Sequence, residues 1–331
     1  MLSFSKGNIQ NGRAIAIVNG GQHNNKFVYV HDKPEEDLKL KVDPTSYLNG
    51  NLYNDGRNAL SPTAINQIYR AVRDGKADID ILADPRLSRH YEASNNLIKE
   101  RNLKELNLEH GSFRVVPQDI PNQRESILIS GPSGSGKSHF CSEYIKTFHE
   151  MFPERQVFIF SKKDEDPAFD QFPFVQRVEL ESLLPPKGFR QSDKKKSKNQ
   201  EDDFEPLGPK DFTNSLVVFD DCENINDKEV KDAVYKLKDD LLETGRSENV
   251  YTLVCSHLAM NYNKTRIDLN ESNCLVIFKN GNAHHIKRLL GVYAGIDNAN
   301  VKKIMELPSR WVMINKNFPM YVLSETCCFL L

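Results

Sequence analysis

The sequence lacks a long hydrophobic run. Its apolar stretches extend over only about five residues, whereas a helix that crosses a membrane needs roughly 20. The first seven residues contain no apolar segment of the kind that a secretory signal requires. We therefore expect a soluble, intracellular protein without stable membrane insertion.

An excess of positive charge is also missing. The 331 residues include 44 Lys and Arg and 46 Asp and Glu, so the formal net charge is −2. This balance excludes a protein that coats nucleic acid through bulk positive charge, but it leaves room for local basic loops that grip DNA. The six cysteines form no Cys-x-x-Cys pair and no zinc-type spacing, so we expect reduced, structural thiols.

Residues 1–118 contain no motif with recognisable chemistry. Two β-rich runs between residues 14 and 30 flank a turn-rich loop and predict a hairpin. A cap at Ser61 predicts a helix that stops near Gly75, and a highly charged helix is expected from about residue 86 to 108. We interpret this part as an accessory α+β domain of unknown role.

From residue 119 to 331, strand patterns alternate with helix patterns. The strand candidates are short, unbroken apolar runs, which suit strands that are buried on both faces. They are Ile127–Ile129, Val157–Phe160, Leu216–Phe219, Tyr251–Cys255 and Leu275–Phe278. The alternation predicts an α/β fold in which helices flank a mostly parallel sheet. Residues 189–210 are almost devoid of apolar side chains and are expected to form a mobile insertion.

One motif is typical of phosphate binding. It matches G-x-x-x-x-G-K-[ST] between a predicted strand and a predicted helix, as a P-loop does. Its residues, our candidates for nucleotide binding, are Gly131, Pro132, Ser133, Gly134, Ser135, Gly136, Lys137 and Ser138. We expect its backbone N–H groups to surround phosphate oxygens, Lys137 to reach the β- and γ-phosphates of ATP and Ser138 to bind Mg²⁺. The alternative is an ordinary Gly/Ser turn.

Two acids follow the apolar run Leu216–Phe219, which is a Walker B arrangement. Asp220 ends the strand and is the expected partner of Mg²⁺, and Asp221 is expected to orient the attacking water or accept its proton. Glu223 is a rival for the catalytic carboxylate, although it lies past the strand end. Alternatively, the two acids cap the next helix, whose start near Asp227 has its own caps.

Polar residues at another strand end are candidates for sensing the γ-phosphate. Ser256 and His257 follow the run Tyr251–Cys255, and we favour His257, with a helix cap as the alternative. Arg246 lies on a glycine turn before that strand and is our candidate for a catalytic arginine supplied by a neighbouring subunit. Arg266 is the second choice, and a solvated surface arginine is the plain alternative.

Several classes of P-loop protein are disfavoured. The chain has no Asn-Lys-x-Asp motif of guanine readers and no Leu-Ser-Gly-Gly signature of transporter ATPases. The remaining features, in order, resemble the FtsK–HerA superfamily and, within it, the poxvirus-type genome-packaging ATPases of large DNA viruses. The resemblance covers roughly residues 125–280. It lies in the loop 131–138, the strand at 157–161, Phe219–Asp221, Gly245-Arg246 before the strand that ends at His257, and the region 265–273.

The resemblance implies an ATP-driven, Mg²⁺-dependent translocase of double-stranded DNA that forms a ring and loads a viral genome into a preformed capsid. It also implies capsid or inner-membrane virion proteins as partners, and a location in the virus factory or virion. Family members tend to have Gly-Arg-His and Ser-Gln where this chain has Gly245-Arg-Ser247 and Ser256-His257, which puts the sensor role of His257 in question. The alternatives are an NTP-gated binding or assembly protein and a cellular helicase or AAA-type ATPase.

Overall fold

The structure is a computed structural model of the 331-residue chain. It describes residues 1–4, 12–32, 61–74, 76–101, 103–118, 124–185, 205–257 and 262–331. Most of the insertion predicted at 189–210 lies outside the described residues. Its last part is described, and Pro209 begins a 3₁₀ turn, Pro209–Phe212, in which Phe212 is buried.

The strands are numbered along the chain. They are β1 (Leu2–Ser3), β2 (Arg13–Asn19), β3 (Phe27–Val30), β4 (Glu105–Asn107), β5 (Ser112–Val115), β6 (Ser126–Ser130), β7 (Val157–Ser161), β8 (Val175–Arg177), β9 (Leu216–Asp220), β10 (Tyr251–Ser256), β11 (Cys274–Phe278), β12 (Trp311–Asn315), β13 (Tyr321–Ser324) and β14 (Cys327–Leu330). The five predicted buried strands are β6, β7, β9, β10 and β11, so that prediction is confirmed.

The α-helices are numbered in the same way. They are α1 (Pro62–Asp74), α2 (Ile79–Ala83), α3 (Pro85–Arg101), α4 (Lys137–Met151), α5 (Pro167–Asp170), α6 (Lys228–Thr244), α7 (Tyr262–Glu271), α8 (Ala283–Arg288) and α9 (Asn298–Glu306). Among the described residues, no helix has both the length and the apolar character needed to cross a membrane.

The chain divides into two units. The smaller comprises residues 1–13 and 27–106, and the larger comprises residues 14–26 and 107–331. This division differs from the predicted boundary at residue 118, because β5 pairs with β2 in antiparallel register from Ala16↔Val115 to Asn19↔Ser112. Phe113 also donates its backbone N–H to Glu325 O, 2.7 Å away. These contacts join distant parts of the chain, which local sequence patterns do not reveal.

The smaller unit contains β1 and β3, which pair in antiparallel orientation, and the helices α1 to α3. Ser61 Oγ accepts a hydrogen bond from Ala64 N at 3.2 Å, so the predicted cap of α1 is confirmed. The predicted helix to residue 108 is wrong, since α3 ends at Arg101 and β4 follows. In β4 the buried Leu106 alternates with exposed neighbours, which is the two-residue period of a strand.

The large sheet has ten strands, of which nine lie within the larger unit; the tenth, β4, straddles the unit boundary. The nine run in the order β14-β13-β12-β11-β6-β10-β9-β7-β8. The pairs from β11 to β8 are parallel, whereas β12, β13 and β14 pair in antiparallel orientation. The predicted α/β fold with a mostly parallel sheet is therefore confirmed, and the three antiparallel strands extend it beyond the prediction.

The strand order positions the site. Parallel strands end at the same edge of a sheet, and β6, β10, β9 and β7 are consecutive neighbours. Ser256 is in register with Ser130, and Ser161 is in register with Asp220. The segments that follow these four strands therefore emerge side by side. Helix α6 covers one face, where Val234, Leu237 and Leu241 join a core cluster with side chains of the central strands.

Candidate functional site

The loop 131–136 connects β6 to α4 as the sequence predicts. Gly134 and Gly136 adopt φ angles of +71° and +108°, a region that L side chains rarely enter. At Gly131, a Cβ would lie 2.7 Å from both Phe278 Cβ and Ser135 Oγ, so only glycine fits without movement of its neighbours. The loop is thus held against β11, with its backbone at the start of α4, where a helix favours anions.

Lys137, the first residue of α4, is buried and turns back over the loop. Its ammonium donates hydrogen bonds to Gly131 O at 2.8 Å and to Pro132 O at 3.1 Å. Ser138 follows in the first turn and is half-buried, while Ser133 and Gly134 at the tip of the loop are exposed. This arrangement places a cation, a hydroxyl and backbone N–H groups around one concave turn, which suits a polyphosphate.

Asp220 ends β9 and is buried almost completely. Its Oδ2 has no hydrogen-bond partner among the described residues, and the ammonium of Lys163 is 4.0 Å away, too far for a hydrogen bond. Burial raises the pKa of Asp220, and the neighbouring charge of Asp221 adds to the effect. A buried carboxylate oxygen without a donor is costly unless a cation reaches it.

This donor set fits a magnesium ion. Mg²⁺ prefers oxygen ligands and is held in proteins by one or two carboxylates together with phosphate oxygens and water. Asp220 offers the free carboxylate oxygen and Ser138 offers the hydroxyl, as the sequence predicts for both. When bound, the ion would neutralise charge on the phosphates.

Asp221, His257 and Lys137 form a continuous chain of contacts. His257 Nε2 lies 2.7 Å from Asp221 Oδ1, and His257 Nδ1 lies 3.2 Å from Lys137 Nζ. Because an ammonium has donors only, Nδ1 must accept and Nε2–H must donate to the carboxylate. The structure therefore links the phosphate loop directly to the acidic end of β9 through the side chain that we favour as sensor.

A residue that sequence reasoning missed completes the chain. Lys163 lies just beyond the end of β7, and its ammonium is 2.8 Å from Asp221 Oδ2 and 3.2 Å from Asp166 Oδ2. Burial alone would raise the pKa of Asp221, but hydrogen bonds from Lys163 and His257 outweigh it and hold this pKa below its ordinary value. The available signal was the strand-end position of Lys163, the same signal that identified Asp220 and His257.

Glu223, the rival carboxylate, faces a different set of partners. Ser256 Oγ donates to its Oε1, and His257 N donates to its Oε2 at 3.3 Å. Glu223 therefore fixes the end of β10, whereas Asp221 contacts the histidine ring and the ammonium of Lys163. This placement favours Asp221 over Glu223 as the carboxylate that faces the phosphates.

Asp220 and Asp221 do not cap the next helix, which was the alternative interpretation of the two acids. Helix α6 is capped by Asp227, whose Oδ1 accepts hydrogen bonds from Glu229 N at 2.9 Å and Val230 N at 3.1 Å. Asp221 instead adopts a left-handed conformation, with φ +53°, at the sharp turn that follows β9. Residues other than glycine adopt this conformation uncommonly, and Asp and Asn do so most readily, so the turn rather than a helix cap accounts for an aspartate here.

The candidate arginine Arg246 lies apart from this cluster. Arg246 is exposed on the turn between α6 and β10, at the edge of the sheet where β10 begins. The loop 131–136 lies at the opposite edge, about 16 Å away along a six-residue strand. Arg266 is exposed on α7. The structure thus unites Lys137, Asp220, Asp221 and His257, and it places Arg246 too far away to reach them within one chain.

Comparison with known proteins gives a substantial sequence match to a virophage protein. No family model matches the chain. Uncharacterized protein V3 of the Sputnik virophage is 32% identical over 229 residues, which cover 68% of this chain and 84% of the virophage protein.

Solved structures give only distant matches. B204, the DNA-packaging ATPase from Sulfolobus turreted icosahedral virus, aligns with 62% of this chain and 98% of its own, at 12% identity and a TM-score of 0.39. The pCW3 conjugation coupling protein TcpA aligns with 67% of this chain and 65% of its own, at 12% identity and a TM-score of 0.40. Both matches are too distant to assign a function, and the strand order of the large sheet by itself defines the fold.

Proposed function

We propose that this chain is an ATP-driven translocase of double-stranded DNA that packages a viral genome into a preformed capsid. The chain belongs to the family of protein V3 of the Sputnik virophage. The observation that carries the ATPase part is the unpartnered carboxylate oxygen of Asp220 beside the linked side chains Lys137, His257 and Asp221. A protein that merely folds gains nothing from a buried carboxylate without a donor.

The proposed chemistry follows from the positions of these groups. The loop and Lys137 bind the triphosphate, and Ser138 and Asp220 would hold an Mg²⁺ ion, which would supply neutralising charge at the phosphates. Asp221, kept ionised by Lys163 and His257, orients the attacking water and accepts its proton. His257 bridges Asp221 and Lys137, so it is placed to respond to a phosphate that competes for the lysine.

DNA translocation rests on the order of the sequence elements that resemble the genome-packaging ATPases. The basic run at residues 194–198 lies outside the described residues, and Lys287 and Arg288 are exposed on α8. The proposed partners are double-stranded DNA, further copies of this chain in a ring, and capsid or inner-membrane virion proteins. Action in a virus factory or virion belongs to the same proposal.

The test is ATP turnover measured with and without double-stranded DNA. We expect DNA to stimulate turnover, and we expect Lys137→Ala and Asp221→Asn to abolish it, because they remove the phosphate-binding cation and the ionised carboxylate. Matched controls are Lys146→Ala on the exposed face of α4 and Asp232→Asn on α6, which should turn over ATP normally. ATP binding without turnover would instead favour the NTP-gated assembly protein, and turnover indifferent to DNA would refute the translocase.

A further inference from the structure

Beside the phosphate loop lies a cavity of about 200 Å³ that the phosphates do not account for. It is bounded by β5, the first two turns of α4, and the start of β12. We propose that this cavity, called here the base cavity, receives the adenine of the ATP whose phosphates the loop binds. The inference rests on the function proposed above and adds to it the place where the nucleoside is recognised.

Its position relative to the loop is the first argument. Ser135 and Gly136 of the loop line the base cavity, and so do His139 and Phe140, which directly follow Ser138 in α4. The base of a nucleotide is joined to its phosphates through one ribose, so it must lie next to the residues that hold the phosphates. A cavity that shares two residues with the loop satisfies this condition.

The walls have the right chemistry for a flat aromatic ring. Five buried aromatic side chains line the base cavity, namely Phe113, Phe140, Tyr144, Phe278 and Trp311. Phe140 and Trp311 meet edge to face, with ring centroids 5.0 Å apart. Ligand sites are mostly apolar and aromatic with a few polar groups that fix orientation, and bases stack readily on aromatic rings.

Polar groups without partners supply the orienting contacts. Ser135 is nine-tenths buried, and its Oγ has no hydrogen-bond partner among the described residues. Arg114 Nε is likewise unpartnered there, although Nη2 of the same side chain donates to Glu150 Oε2 at 3.1 Å. The carboxylate of Glu143 also lines the cavity. A hydroxyl, an N–H donor and a carboxylate match the ring nitrogens and the exocyclic amine of adenine.

The first experiment uses the single tryptophan of the chain, Trp311, as a reporter. We expect ATP and, at higher concentration, adenosine to change its fluorescence, because both place a base against the indole. Inorganic tripolyphosphate should bind, as measured by calorimetry, without changing the emission. If ATP binds and the emission of Trp311 stays unchanged, the proposal that this cavity binds the adenine is refuted.

The second experiment fills the cavity from its edge. Ser112, half-buried on β5, lines the cavity, and Ser112→Phe should weaken ATP binding about tenfold while leaving tripolyphosphate binding unchanged. The control is Ser247→Phe, on an exposed turn, which should alter neither. Undiminished ATP affinity in Ser112→Phe refutes the base cavity alone, whereas wild-type protein that binds neither ATP nor tripolyphosphate refutes the proposed function itself.

Discussion

Lys163 supplies a second cation to the site. Its ammonium contacts Asp221 at 2.8 Å and stands 4.0 Å from Asp220, so it sets the charge balance of the two acids in the absence of nucleotide. The side chain is 45% exposed, which lets it move when a phosphate or a metal ion changes that balance. Its task is to hold and orient Asp221 rather than to contribute to the stability of the fold.

Replacement of Lys163 by Gln should therefore affect turnover more than binding. We expect the kcat for ATP to fall roughly 10- to 100-fold with little change in KM, because a carboxylate that loses its orienting donor is misplaced in the transition state. Lys163→Arg should retain most of the activity. The control is Lys162→Gln, at the exposed neighbouring position. A kcat for Lys163→Gln within about twofold of wild type would refute this role.

Glu125 is a buried acid whose ionisation affects the stability of the fold. It lies directly before β6, and its Oε2 accepts hydrogen bonds from Tyr144 Oη at 2.6 Å and Gln118 N at 3.3 Å, while Oε1 has no partner among the described residues. Burial raises the pKa of Glu125 to about 7, although these two hydrogen bonds oppose the shift. The folded state thus retains this proton at pH values where the unfolded chain, with a pKa near 4.5, has lost it.

This difference makes stability depend on pH. Between about pH 4.5 and 7 the native state binds more protons, so the free energy of unfolding falls as pH rises through that window. Glu125→Gln removes the ionisation, and its stability relative to wild type should increase by about 2 kcal/mol between pH 5 and pH 8. Urea unfolding at both pH values measures it. The exposed Glu154→Gln should show no such change, and a pH-independent difference for Glu125→Gln would contradict the account.

At the scale of elements, the phosphate loop depends on its contact with β11. Gly131→Ala would place a Cβ 2.7 Å from Phe278 Cβ, and a side chain fixed at the end of a buried strand cannot give way cheaply. We expect a loss of about 1–3 kcal/mol in the free energy of unfolding, together with weaker binding of ATP.

Gly208 offers a matched control for that substitution. Its φ is −140°, an extended conformation open to any residue, and a Cβ there would meet no atom within 4 Å. Thermal unfolding and ATP binding should both be nearly unchanged in Gly208→Ala. Equal stability of Gly131→Ala and Gly208→Ala would show that the loop tolerates a side chain against Phe278.

The strands and helices also show which parts of the fold can be predicted from local sequence patterns. Five of the six parallel strands and α4 could be predicted because unbroken apolar runs and the loop motif are local signals. The place of β12 was not predicted, because its antiparallel pairing with β11 joins segments that are distant in sequence. Lys163 carries a local signal, its position just beyond a strand end, but its meeting with Asp221 depends on the pairing of β7 with β9, which no local pattern shows.

At the scale of the whole molecule, the catalytic role proposed for Arg246 requires a second copy of the chain. It is exposed at the edge of the sheet opposite the loop, so it cannot reach the phosphates of its own chain. In a ring of head-to-tail copies, one surface of each subunit faces a different surface of the next, which allows an arginine to act across the interface.

Mixing inactive variants tests this arrangement. Arg246→Ala alone and Lys137→Ala alone should each abolish turnover, whereas an equal mixture should recover roughly a quarter of the wild-type rate, because that share of sites combines an intact loop with a neighbour's arginine. The control replaces the second partner by the Lys137→Ala/Arg246→Ala double variant, which should restore nothing. If the mixture turns over ATP no faster than either variant alone, Arg246 is a solvated surface arginine without a catalytic role.

The most direct test of the central claim is the binding of Mn²⁺, used in place of Mg²⁺ and followed by electron paramagnetic resonance. With a non-hydrolysable ATP analogue, the wild-type protein and the exposed variant Asp232→Asn should bind one Mn²⁺ tightly. Asp220→Asn should weaken this binding about tenfold or more, because the buried carboxylate oxygen is lost. If Asp220→Asn binds Mn²⁺ and the analogue as tightly as wild type, no metal-bound triphosphate lies between the loop and β9, and the account is contradicted.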